Sequence, residues 1–127
     1  MSGGSYVLWN WKANGGTTSS NTTGSITSTV QTNTTAGFSI ITYTGTGSAA
    51  TIGHGLGVAP KVIIVKARTG VPTSWTVFHK DGFTSDDDYL VLQTTGAKAT
   101  QAGFWNNQYP SSSVLVLAMI FGLMVMV

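Results

Sequence analysis

Residues Thr51–Arg68 read "TIGHGLGVAPKVIIVKAR", and the fold turns on how this stretch is taken. Four consecutive β-branched residues, Val62 to Val65, form an apolar run bounded by Lys61 and Lys66. Such a run suits a central strand, because β-branched side chains pack well on a pleated surface. Pro60 stands just before it, where a missing N–H removes no ladder bond. Upstream, His54 lies between Gly53 and Gly55. A histidine there can be a metal ligand or general base, or part of a bent connection for which glycine supplies the backbone freedom. A metal needs partners at set spacing. The other histidine is His79, and no spacing motif links the two. The stretch therefore reads as a turn that delivers the chain into a strand.

The same alternation extends outward on both sides. In "FSIITYTG" (38–45), Phe38 and Ile40 share one face while Ile41 and Tyr43 share the other. Both faces are apolar, so cover is expected on both sides. Ser25–Gln31 places Ile26, Ser28 and Val30 on one side. Tyr6–Ala13, "YVLWNWKA", places Val7, Trp9 and Trp11 opposite Tyr6, Leu8, Asn10 and Lys12, the pattern of a half-buried strand. Downstream, Trp75, Val77 and His79 share a face against Thr76 and Phe78, and "YLVLQT" (89–94) reads as a further strand. Gly-, Ser- and Asn-rich loops separate these runs. No helical apolar period falls between them, which excludes βαβ units. The expected fold is all-β: a two-sheet antiparallel β-sandwich of about seven short strands, jelly-roll or immunoglobulin-like in topology, in one domain spanning 1–127.

Composition narrows the function classes. The 127 residues contain no cysteine and no glutamate, and only 8% are charged. Disulfide frameworks and thiolate metal sites are excluded. Solubility must come from Ser, Thr, Asn and Gly, which make strands and turns but poor helices. The six cations, Lys12, Lys61, Lys66, Arg68, Lys80 and Lys98, are scattered. A nucleic-acid footprint needs them clustered, so no nucleic-acid partner is expected. The opening "MSGGSYVLWNWKANGG" has neither the charged start nor the apolar core of a secretory signal. The sequons at Asn21 and Asn33 then read as polar turn and strand residues.

Few residues suggest chemistry. Asp86, Asp87 and Asp88 lack the spacing of a calcium loop and read as a solvated connection. There is no GxSxG elbow, no phosphate loop and no second carboxylate cluster. No enzyme, cofactor or metal site is expected. The aromatics offer a binding reading, because a flat ring beside amide groups matches the apolar faces and hydroxyl edges of a sugar. On that ground Trp75, His79, Trp105, Asn106, Asn107 and Tyr109 form the candidate glycan-binding set. The competing role for the tryptophans is packing, since burying one such ring stabilises by about 1.5–3 kcal/mol or more.

Several segments together resemble a known family. "SYVLWNWKANGG", "TAGFSIITYTG…GHGLGVAPKVIIVK", "SWTVFHK", "YLVLQTT" and "FWNNQYPSSSV" look like an uncharacterised repeat domain, a domain of unknown function, of marine bacteriophage tail and receptor-binding-region proteins. The resemblance runs from about residue 6 to 114. It implies a virion component, a structural protein of the tail acting in host recognition as an adhesin, and it carries over no site residues. Residues 115–127 depart from it. "LVLAMIFGLMVMV" is apolar throughout and too short for a membrane span, which takes roughly 20 such residues. A shift of reading frame in this tail gives a polar, family-like sequence for one choice of codons. The tail reads as a buried last strand, as a sticky exposed end, or as an out-of-frame end of a longer gene, which would occupy a vacated sheet edge or promote aggregation.

The leading expectation is thus a non-catalytic tail module located in the virion. It would form homo-oligomers with other tail subunits and contact host-surface glycans. The alternative is a carbohydrate-binding or adhesion module of a bacterial surface or secreted protein, located outside the cell.

Overall fold

The computed structural model describes residues 3–5, 7, 8, 10–13, 15–70, 72–117 and the backbone of 123–126. Among them the protein is all-β, with ten strands and no helix. In chain order these are β1 (Ser19–Asn21), β2 (Ser28–Asn33), β3 (Phe38–Tyr43), β4 (Ala50–Gly53) and β5 (Val62–Ala67). Then follow β6 (Thr76–His79), β7 (Asp88–Val91), β8 (Ala99–Thr100), β9 (Val114–Leu117) and β10 (Leu123–Met126). Eight strands form one antiparallel sheet in the order β1-β2-β3-β10-β5-β6-β7-β8, and β4 and β9 pair as a second sheet.

The two sheets enclose one core. Val30, Ile41, Ile63, Val65 and Phe78 come from the large sheet, and Ile52, Leu115 and Leu117 from the small one. Strand alternation explains the selection. Val30 is paired with Ile41, and Ile63 with Phe78, so each pair points to the same face. The β5 run behaves as its sequence suggests: Ile63, Val65 and Ala67 are buried and Ile64 is half-buried on the other side.

Polar side chains join the layers. On β2 and β3 the inward alternation includes Ser28, Thr32 and Ser39. Ser28 Oγ donates to Gly53 O at 2.8 Å, while Ser39 Oγ and Thr32 Oγ1 reach His54 O at 2.8 and 3.1 Å. The small sheet thus hangs from the large one by three hydroxyl groups, two of which, on Thr32 and Ser39, also lie 2.9 Å from each other. Close approach follows. A Cβ on Gly24 would lie 2.3 Å from the Thr51 carbonyl oxygen, so only glycine allows the chain past β4 there.

The strand inventory differs from the sequence reading in three places. The described residues of the Tyr6–Ala13 stretch join no strand, and Tyr6 and Trp9 lie outside the described residues. β1 pairs with Ser28–Val30 of β2, and the described residues of the alternating segment pass the Asn33 end of that strand without pairing to it. Trp11 instead stacks on Phe38 at 6.2 Å, and Asn33 Nδ2 donates to Ala13 O at 3.3 Å. β1, β4 and β8 fall in stretches whose composition reads as loop, because all three are held by neighbours rather than by apolar alternation. The apolar tail, finally, supplies β9 and β10. The β10 backbone lies in the interior of the large sheet between β3 and β5, not at an edge.

Urea denaturation of single variants will follow this packing. Phe78→Ala and Leu115→Ala should each cost about 3–5 kcal/mol, and Gly24→Ala about 2 kcal/mol or more through backbone displacement. Leu92→Ala, at a side chain 60% exposed, should stay within about 0.5 kcal/mol.

Candidate functional site

The hairpin between β6 and β7 gathers one exposed aromatic and cationic patch. β6 ends at His79, which is exposed. Its Nδ1 accepts a hydrogen bond from Gly82 N at 2.9 Å, fixing the ring. Nε2 has no partner among the described residues. Tyr109 is 44% exposed and rests edge-on against Phe78 at 5.9 Å. Lys80 Nζ lies 5.9 Å from the Tyr109 ring centroid, within cation–π range. Phe83 bridges the group, with its ring edge-on to Phe78 and His79 at 6.0 and 6.3 Å. Alongside, Lys61 and Asp81 form an exposed ion pair at 2.7 Å. That pair holds the Asp81 carboxyl below its ordinary range and raises the Lys61 ammonium. Being exposed, it is screened and adds little to stability.

The six residues of the sequence-based set separate. His79 and Tyr109 share the patch. Asn106 and Asn107 are exposed in the neighbouring turn, with φ of 57° and 52°. Asparagine tolerates this left-handed conformation better than most residues, and Asn107 Oδ1 accepts from Gly103 N at 3.1 Å. Trp105 is 2% exposed. Its ring packs edge-on against Phe78 and Phe104, and its indole N–H donates to Asp88 O at 3.0 Å. It presents no face to a ligand; it is the floor on which the patch is built. Trp75, half-buried, precedes β6 at the far end from His79, about 13 Å away along the strand. Sequence reasoning missed Lys80 and Phe83, whose only signal was their place beside His79.

The two sites weighed for metals are both occupied by the protein itself. His54 is fully buried. Its Nδ1 accepts from Leu56 N at 3.1 Å, so Nε2 carries the proton and donates to Ser111 O at 3.2 Å. Gly55 and Gly57, both at φ 76°, make the bend. Asp88 is also fully buried, which corrects the reading of a solvated acidic loop. Its carboxylate accepts from Thr84 N at 2.9 Å, Ser85 N at 3.1 Å and the Thr100 hydroxyl. Lys98 Nζ, 2.5 Å away, supplies the cation. Among the described residues, no three His, Cys, Asp or Glu side chains are placed to hold a metal ion. No described helix is long and apolar enough to cross a membrane.

Both buried groups make stability fall with acid, in separate ranges. Desolvation lowers the His54 imidazole below its ordinary 6.5, against a smaller raising effect from Ser111 O. As pH drops through about 6.5 the unfolded chain takes up a proton that the folded chain refuses. Stability then declines by at most about 1.4 kcal/mol per pH unit. The Lys98 and Thr100 hydrogen bonds hold Asp88 far below 3.8. Its contribution is present above that value and lost as pH falls beneath it. Unfolding free energy measured from pH 8 to 3 should show the first decline starting near 6.5. Asp88→Asn should blunt only the loss below about pH 4.

A family model for a domain of unknown function, DUF7483, matches residues 1–122. That span includes β1 to β9 and runs beyond residue 114, where the resemblance read from the sequence ends. No curated protein and no solved structure matches the chain. With nearly its whole length matched, the chain belongs to the DUF7483 family of domains of unknown function.

Proposed function

We propose that this protein is a non-catalytic structural module of a bacteriophage tail that contacts host-surface glycans through the β6–β7 patch. The observation that carries the glycan part is the Tyr109 ring. It is 44% exposed, supported from below by Phe78, and flanked by Lys80. A rigid ring with one open face offers a platform for the apolar side of a sugar. His79 Nε2 and the Asn106 and Asn107 amides supply donors and acceptors for its hydroxyls. The phage part is supported by the resemblance of the sequence segments to tail proteins. A shallow site of this size binds weakly, and repetition in an oligomer or a long fibre would multiply it.

The alternative is an adhesion module of a bacterial surface or secreted protein. It uses the same patch, so neighbouring genes separate the two: portal, tube and terminase genes for a tail, sugar-processing genes for a surface module. A glycan array with the full chain tests the patch. Tyr109→Ala should lose at least about tenfold in signal on any bound glycan, while Trp75→Ala should keep it. Both variants should keep their melting temperature within a few degrees, because both rings are at least partly exposed. An array with no bound glycan, or equal binding by Tyr109→Ala, would reject the glycan reading.

A further inference from the structure

The outer face of the large sheet carries a second polar surface, at the opposite end of β5 from the Tyr109 patch. β2 and β3 alternate hydroxyls on both faces. The inward ones, Ser28, Thr32 and Ser39, are all engaged with the small sheet. On the outward side Thr29 stands opposite Thr42, and Thr27 and Thr44 continue the two rows. None of these four hydroxyls has a protein hydrogen-bond partner among the described residues. With Tyr43 they line an open cleft of about 430 Å³, which Arg68 and Thr69 border.

Arg68 is exposed and makes no ion pair among the described residues. The four aspartates all lie between Asp81 and Asp88. Asp81 reaches Lys61 beside the Val62 end of β5, whereas Arg68 follows its Ala67 end. About 20 Å of strand separates the two ends, so no carboxylate of that group neutralises the cleft. A net charge of +2 adds no repulsion toward an anion.

We infer that this cleft binds a saccharide bearing an oxyanion, a carboxylate or a sulfate. A guanidinium presents parallel N–H groups that match either group bidentately. Threonine hydroxyls both donate and accept, which suits the ring hydroxyls of the same molecule. The volume fits a small saccharide. The site is independent of the Tyr109 patch, so either can fail alone.

Isothermal titration of the full chain tests the inference with three probes: trigalacturonic acid, a sulfated disaccharide of the heparin type, and neutral galactotriose. At least one acidic probe should bind about tenfold or more tightly than the neutral one. Arg68→Gln should lose that advantage, and the double variant Thr29→Val, Thr42→Val should weaken binding of the acid. Tyr109→Ala should leave it unchanged. Binding of only one acid names the group that Arg68 reads. Equal binding of acidic and neutral probes, or an unchanged acid affinity in Arg68→Gln, overturns the inference. So does loss of acid binding in Tyr109→Ala, which would place the acid on the other patch. Arg68→Gln alters an exposed side chain, and an unchanged melting temperature verifies the fold.

Discussion

The carbonyl oxygen of His54 receives two hydroxyl hydrogen bonds, from Ser39 and Thr32, and the two-layer arrangement hangs on this point. Buried polar groups without partners are costly, roughly 1–3 kcal/mol each. Serine and threonine on the inner face of a sheet are therefore tolerable only where a facing backbone answers them. Here β4 and the residue after it provide that backbone. The requirement fixes the distance, the register and the lateral position of the small sheet in a way that apolar packing alone would not. The His54 ring extends the constraint to the segment leading into β9, through Ser111 O on one nitrogen and Leu56 N on the other.

Asp88 does the corresponding work at the other end of the core. Its side chain gathers Thr84, Ser85, Lys98 and Thr100, and its carbonyl takes the Trp105 indole N–H. The floor under the exposed patch is thereby tied to a buried carboxylate and its partly exposed cationic partner, Lys98. Pairing is what makes a buried carboxylate tolerable, and removing one partner of such a pair destabilises far more than its net contribution. The rigidity of Tyr109 as a surface ring is inherited from Phe78 and Trp105 beneath it.

The sequence disclosed the elements whose stability is local and apolar. Val62 to Val65 declared β5, and Phe38 to Tyr43 declared β3, because alternation and β-branching act within each strand. It hid β1 and β4, where Ser, Asn, Ala and Gly hold strand geometry only through their neighbours. It misdirected at Tyr6–Ala13, where alternation exists but the described residues pair with no strand. At the candidate site, exposure was the missing quantity. Trp105 and Tyr109 sit four residues apart with similar surroundings in sequence, yet one is enclosed and the other open. The deciding contacts, to Asp88 O and to Phe78, come from distant strands.

The backbone of Leu123–Met126 stands between β3 and β5 with register to both. On the ribosome, the β1-β2-β3 group and the β5-β6-β7-β8 group emerge long before the segment that joins them. Each half must wait with an unpaired edge, and contacts of such sequence separation are slow to form. The nascent chain is thus most vulnerable to mispairing with its neighbours until residues 123–126 have been made.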